Sequence, residues 1–180
     1  MEAAVHPSAI VHPDTVLGRG VTVHDHAVVG KQPVLSPRST ASRDPLPPAE
    51  LGAGTVVSTG AIVFAGAQLG ARVLIGDGAC VRERCVIGDD VVIGRGSLVE
   101  NDTVVGDRTK IQAHAYVTAY STLAEDVFVA PCVVTTNDNF MGRTERRLDL
   151  IEGPTIRRGA GAVVTKDVPP RTSCSRTSRS

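Results

Sequence analysis

One periodicity constrains this chain more than any other feature. Stepping by six from Leu51, the sequence meets Leu51, Val57, Val63, Leu69, Ile75, Val81, Ile87, Ile93, Val99, Val105, Ile111, Val117, Leu123 and Val129, aliphatic without a break. Four residues after each stands a small or short side chain: Thr55, Ala61, Ala67, Val73, Ala79, Cys85, Val91, Ser97, Thr103, Thr109, Ala115, Ser121, Val127 and Val133. A helix repeats its apolar face near 3.6 residues and a half-buried strand alternates at two, so six means a short extended segment followed by a turn. Gly-Asp-Gly at 76–78, Gly-Asp-Asp at 88–90 and Gly-Asp-Arg at 106–108 supply the turn chemistry. Both columns point inward, and the expected fold is all-β, a parallel solenoid whose repeats bury their apolar sides against one another.

The same phase fits Val5, Val11, Leu17, Val23 and Val29, then fails from Lys31 to Glu50, a stretch rich in proline, serine and charge. That stretch reads as an extruded loop; loops this long in compact repeats are usually functional or disordered, and the other reading is a plain linker between two stretches of solenoid. Its Arg38 and Arg43 could meet a phosphate. The repeat fades again at Thr135 and gives way to a second irregular loop near 141–153. Local failure of a regular rule marks where a site is expected.

Composition excludes several functions. Nineteen basic and nineteen acidic side chains leave no global field for a polyanion, and 3% aromatic residues cannot build a row of base-stacking platforms. Nucleic acid is therefore not an expected partner. No basic leader precedes an apolar run and no long apolar stretch occurs, which gives the expectation of a cytoplasmic protein without a membrane partner. The four cysteines lack C-x-x-C spacing and read as free thiols, with Cys85 in the inward column and nothing in the sequence activating Cys80 or Cys132. His114 has no second histidine beside it and His24 and His26 lie far away in the chain, so no metal is expected. No regular Thr-x-Thr ladder marks an ice-binding surface.

In a solenoid of three hexads per coil, residues eighteen apart lie one strand spacing, about 4.8 Å, above one another. One such line carries Arg84, Asp102, Tyr120 and Asp138, and the next carries Glu83, Asn101, Ala119 and Asn137, with a gap at Ala119 where a small ligand could approach the backbone. Arg82 and Glu100 flank them. Asp and Asn here could be turn formers only. Their accumulation beside the irregular 141–153 loop favours a polar groove that binds a ligand. His114, on a solenoid corner, could serve as a general base, from a neighbouring subunit if solenoid faces pack together.

Several phrases go beyond the generic hexad: Gly-Lys-Gln-Pro at 30–33, Val-Arg-Glu at 81–83, Lys-Ile-Gln at 110–112, Tyr-Val-Thr-Ala-Tyr at 116–120, Asp-Val-Phe-Val-Ala-Pro at 126–131, Thr-Asn-Asp-Asn at 136–139, Met-Gly-Arg at 141–143 and Gly-Pro-Thr-Ile-Arg at 153–157. Over about residues 1–160 the chain resembles the bacterial hexapeptide-repeat N-acyltransferases that act on nucleotide-linked amino sugars. The resemblance implies a left-handed parallel β-helix, a homotrimer, and acetyl-CoA or another acyl-CoA as co-substrate in the groove between neighbouring helices. It implies no metal. It further implies that a sugar amine attacks the thioester, with Asn101, Asn137 or Asp138 orienting it and Glu100, Asp102 or His114 able to take its proton. Arg82, Glu83, Arg84, Tyr120, Asn139, Arg143 and Arg38 then fall to the nucleotide sugar, and Arg157, Arg158 and Lys166 to the phosphates of the cofactor.

The C-terminal text departs from that pattern. Ile-Arg-Arg-Gly-Ala at 156–160 joins Gly-Ala-Val-Val-Thr-Lys-Asp-Val-Pro-Pro at 161–170 directly, where the family has further hexads, and a polar stretch follows at 171–180. The expected organisation is one β-helix domain over 1–170 and a disordered tail. Fewer coils than in the family open a second reading, a catalytically impaired scaffold or binding protein; an O-acyltransferase of the same fold is a third, distinguished by hydroxyl against amine acceptors.

Overall fold

The computed structural model describes residues 2–37, 39, 42–138 and 150–159. Short parallel strands, almost all of two residues, stack into three sheets that form the sides of a triangular solenoid. The first face stacks Ala4–Val5, Thr22–Val23, Val56–Val57, Leu74–Ile75, Val92–Ile93, Lys110–Ile111 and Phe128–Val129. The second stacks Ile10–Val11, Val28–Lys31, Ile62–Phe64, Cys80–Val81, Leu98–Val99 and Tyr116–Val117, extended by a bridge from Tyr116 to Val134. The third stacks Val16–Leu17, Glu50–Leu51, Gln68–Leu69, Val86–Ile87, Val104–Val105, Thr122–Leu123 and Thr155–Ile156. From Glu50 to Val129 the paired strand residues lie eighteen positions apart, as the hexad period requires.

Both sequence columns are inside. From Leu51 to Val129 every sixth residue is buried, and so is every member of the small column from Thr55 to Val133. The hydroxyls in that column are used between coils. Thr55 Oγ1 donates to the Gly70 carbonyl at 3.0 Å and accepts from the Val73 amide at 3.2 Å; Thr109, three coils further in the same column, and Ser97, before a strand of the second face, do the same. Among the described residues no buried side-chain polar atom lacks a hydrogen bond, so the polar members of the core carry no desolvation deficit. In the first described coil the inward Val5 is 43% exposed.

The corners need left-handed backbone. Arg84, Asp102 and Tyr120 adopt φ of 58°, 56° and 64°, and equivalent positions on the other corners, including His114 and Arg108, do likewise. Positive φ at these sites is thus a property of the coil.

Two interruptions bear on function. Val16 pairs with Glu50 where an unbroken coil would offer residue 34, so sixteen residues are added, and Thr122 pairs with Thr155 where residue 140 would stand, adding fifteen. The first extra segment leaves the second face after Lys31 and re-enters the third at Glu50. The second leaves after Val134 on the second face and re-enters the third at Thr155. Both therefore spring from one corner, between the second and third faces. The expected loop at 31–50 matches these bounds to within a residue at each end. Most of 141–153 lies outside the described residues, as do Arg38, Asn139, Arg143, Lys166 and the 171–180 stretch.

Candidate functional site

The corner that emits both segments is the one that carries the polar column. Arg84 Nε and Nη2 each donate to a carboxylate oxygen of Asp102 at 2.7 Å, a bidentate pair across one coil spacing. Asn101 Nδ2 donates to the same carboxylate at 2.6 Å. Burial alone would raise the Asp102 carboxyl, but the hydrogen bonds from Arg84 and Asn101 and the guanidinium charge outweigh it and hold it below the usual carboxylate range. Asp102 is thereby better suited to fixing Arg84 and Asn101 than to taking a proton.

Beside this line, Arg82 makes a second bidentate pair with the buried Glu83, at 2.8 and 3.1 Å, and lies 3.7 Å from Glu100. Its guanidinium sits 4.9 Å from the centre of the Phe64 ring, and the Lys31 ammonium sits 5.8 Å from the same ring. Burial and the neighbouring Glu100 raise the Tyr116 phenol. Phe64 was not singled out by sequence reasoning. An aromatic at an outward strand position in a chain this poor in aromatics was a usable signal.

The expected gap at Ala119 is spanned. One coil down, the Asp102 amide donates to the Glu83 carbonyl and the Tyr120 amide to the Asn101 carbonyl, both at 3.2 Å. Above Ala119 the side chain of Asn137 takes that role, its Nδ2 donating to the Ala119 carbonyl at 3.2 Å. The Asn137 carbonyl accepts from the Glu152 amide at 3.3 Å, which ties the returning segment to the column. Asp138 follows at the edge of the described residues, half-buried.

Described residues of the first extra segment, Pro33, Leu35, Ser42 and Leu46 among them, make a wall over this corner. The Gln32 side chain closes its neck: Nε2 donates to the Leu46 carbonyl at 2.9 Å and Oε1 accepts the Leu46 amide at 3.0 Å. Gly30, with φ of 81°, carries the bulge that launches the segment; a Cβ there would run into Thr15 Oγ1. Between wall and corner lies a cleft of about 460 Å³, lined by Pro33, Leu35, Ser42, Asp44, Pro45 and Leu46 on one side and by Glu83, Arg84, Asp102 and Tyr120 on the other. Sequence reasoning joined Arg84, Asp102 and Tyr120 and saw a functional loop; it did not find Asp44, Leu46 or the Gln32 clasp.

His114 lies elsewhere. It occupies the corner between the first and second faces, exposed, with its ring over Gly96. Within one chain it is not brought to the Asn101–Asp102 column. Arg157 and Arg158 are exposed just after the last described strand. Burial pushes the Cys80 thiol up to about 11 and Cys85 up to about 12, so both are protonated at neutral pH and poor nucleophiles. Among the described residues no group of three or more His, Cys, Asp or Glu could hold a metal ion, and no helix is long and apolar enough to cross a membrane.

A triangular parallel solenoid with a walled polar corner defines the class to which this chain belongs, that of the hexapeptide-repeat β-helix proteins. Within it, the family described as the GMPPB C-terminal domain matches residues 47–144, more than half of the chain, and the chain belongs to that family. The comparison with curated proteins found no match. Among solved structures, the acetyltransferase domain of PglB from Neisseria gonorrhoeae, in complex with acetyl coenzyme A, is 26% identical with a TM-score of 0.59, over 71% of this chain and 53% of that one. The UDP-N-acetylglucosamine O-acyltransferase LpxA of Moraxella catarrhalis is 14% identical with a TM-score of 0.54, over 75% and 67%. A variant of perosamine N-acetyltransferase from Caulobacter crescentus, in complex with CoA and GDP-perosamine, is 18% identical with a TM-score of 0.51, over 91% and 53%. The chain spans about half the length of the first and third of these.

Proposed function

We propose that this chain is an acyl-CoA-dependent N-acyltransferase, with acetyl as the group carried, acting on the amine of a nucleotide-activated amino sugar. The observation that carries the reading is the 460 Å³ cleft in which the Arg84–Asp102 pair and Tyr120 face a loop extruded from the same corner. The acetyl-CoA complex of the 26% identical PglB domain supports the co-substrate, and GDP-perosamine bound to a protein of the same fold supports the acceptor class.

In the proposed reaction the amine nitrogen bonds to the thioester carbonyl carbon, the carbon–sulfur bond breaks, CoA leaves as the thiol, and one proton leaves the nitrogen. The chain's own contribution is placement. Asp102 holds Asn101 and Arg84 rigid, and Asn137, fixed between the Ala119 carbonyl and the Glu152 amide, lines the approach above Tyr120. Oriented reactants supply much of such a rate without a strong base. Glu100, which lies 3.7 Å from Arg82 and is not held in a bidentate pair, is proposed as the carboxylate that could take the proton. His114 can serve as base only from another copy, so the active form is proposed to be a homotrimer in which that corner meets the cleft of a neighbour. Arg157, Arg158 and Lys166 are proposed to meet the phosphates of CoA, and Arg38, Asn139 and Arg143 the nucleotide sugar. The protein is proposed to act in the cytoplasm.

Calorimetric titration with acetyl-CoA, run beside light scattering, tests the reading. Saturable binding to a trimer supports it. A folded trimer that binds no acetyl-CoA refutes it in favour of a scaffold.

A further inference from the structure

The charges lining the cleft do not suit a diphosphate. Among the described lining residues Arg84 is the cation, and its Nε and Nη2 are both spent on Asp102. Glu83 is balanced from behind by Arg82. That leaves Asp44. Its carboxylate accepts a hydrogen bond from Ser42 Oγ at 2.7 Å and forms no ion pair among the described residues. The adjacent Arg43 turns its Nη2 to the Ser36 carbonyl at 3.1 Å instead. Among the described residues, the cleft therefore carries on its loop side a negative charge that no ion pair balances.

Its remaining walls are apolar and flat. Pro33, Leu35 and Leu46 of the loop are half-buried, and Leu46 packs over Gly66, where an added Cβ would stand in ordinary contact at 3.7 Å from the Leu46 Cβ. The Tyr120 phenol, 50% exposed, stands opposite. A pyranose presents carbon–hydrogen faces to such walls and hydroxyls to carboxylates, and its ammonium suits an unpaired carboxylate.

Building on the acyltransferase reading, we propose that this cleft holds the amine-bearing sugar ring of the acceptor, with Asp44 facing the ammonium, and that the diphosphate lies outside it. Asp44 then discriminates by charge. The free amino sugar is a cation near neutral pH, whereas the acylated product is neutral, so Asp44 favours acceptor over product and assists product release. The bound ammonium passes one proton to solvent water before attack, a step Asp44 does not perform, and the neutral amine loses its second proton as the departing CoA thiolate gains one.

The test is calorimetry on the full chain and on Asp44→Asn, titrating UDP, UDP-linked sugars with an amine at C2, C3 or C4, and their N-acetyl counterparts. Asp44 is exposed, so the variant is expected to fold, which its melting curve checks. The expected result is that the best-bound amine weakens about tenfold in Asp44→Asn, as for loss of one charge-assisted hydrogen bond, while UDP and the N-acetyl sugars bind both proteins alike. Equal binding of all the amines by the two proteins, or no binding of any amine, overturns the proposal. A loss for UDP as large as that for the amines also overturns it, because the cleft would then hold the nucleotide end. The acetyl-CoA titration is independent of Asp44. Acetyl-CoA binding without an Asp44 effect leaves the acyltransferase reading standing and sinks only the cleft assignment, whereas absent acetyl-CoA binding removes the reading on which that assignment rests.

Discussion

Gly153 lies directly against the peptide joining Tyr120 to Ser121, so closely that a Cβ added to it would collide with the Tyr120 carbonyl carbon. The contact joins the returning end of the second interruption to the column that lines the cleft. It also sets the register of the last described strand, because the Thr122 amide donates to the Pro154 carbonyl and the Ala124 amide to the Ile156 carbonyl.

Gly153→Ala should therefore lift the 152–156 segment off the corner. Overpacking costs about 1–3 kcal/mol, which for a chain of this length lowers Tm by roughly 3–10 °C. Amide hydrogen exchange at Thr122 and Ala124 should quicken while that at Ile93 is unchanged. A variant with wild-type Tm and wild-type exchange at Thr122 would contradict the packing described.

The hexad core makes its own prediction. Ile93 is fully buried at mid-solenoid, with coils above and below, so Ile93→Ala should cost about 2–5 kcal/mol in denaturant unfolding. Val5→Ala, in the first described coil where Val5 is 43% exposed, should cost far less. Equal losses would mean that the first coil is as well covered as the centre.

Acid should loosen the corners. Asp90 and Asp126 are held below their ordinary value of 3.8 by hydrogen bonds from Arg72 and Arg108, and Asp102 is lowered despite its burial. A carboxylate whose folded pKa is depressed contributes stability that is fully present above its unfolded value and is lost as pH falls through the folded one. Tm should therefore be level from neutral pH to about 5 and decline below about 4. Asp102→Asn should flatten part of that decline, and an unchanged acid slope would show that the Arg84–Asp102 pair contributes nothing.

Asn137→Ala removes the amide that spans the Ala119 carbonyl. Under the proposed reaction kcat should fall at least about tenfold with little change in Tm, as for loss of a group that orients reactants. Unchanged kcat and KM would take Asn137 out of the site.

The fold was legible because the core is strictly periodic: Leu51, Val57 and their successors each sit at the one inward position of a hexad, and no tertiary contact competes with that pattern. Arg84, Asp102 and Tyr120 could be aligned for the same reason, since eighteen residues make one coil. Asp44 and Leu46 could not, because their segment leaves the repeat and is tied back by the Gln32 clasp, a long-range contact that no period announces. His114 shows the limit from the other side. It is near Asn101 in sequence but stands on a different corner of the triangle, and six residues are enough to turn the chain from one face to the next.

Acyl transfer at the walled corner is open to direct assay, by mass-spectrometric detection of product from acetyl-CoA and UDP- or GDP-linked amino sugars with free CoA quantified in parallel. The expected result is a gain of one acetyl group on the sugar nitrogen, one CoA released per product, and a fall of at least about tenfold in both rates in Asn137→Ala. Hydrolysis of acetyl-CoA without sugar product, or acetylation of hydroxyl acceptors with amines left untouched, would contradict it.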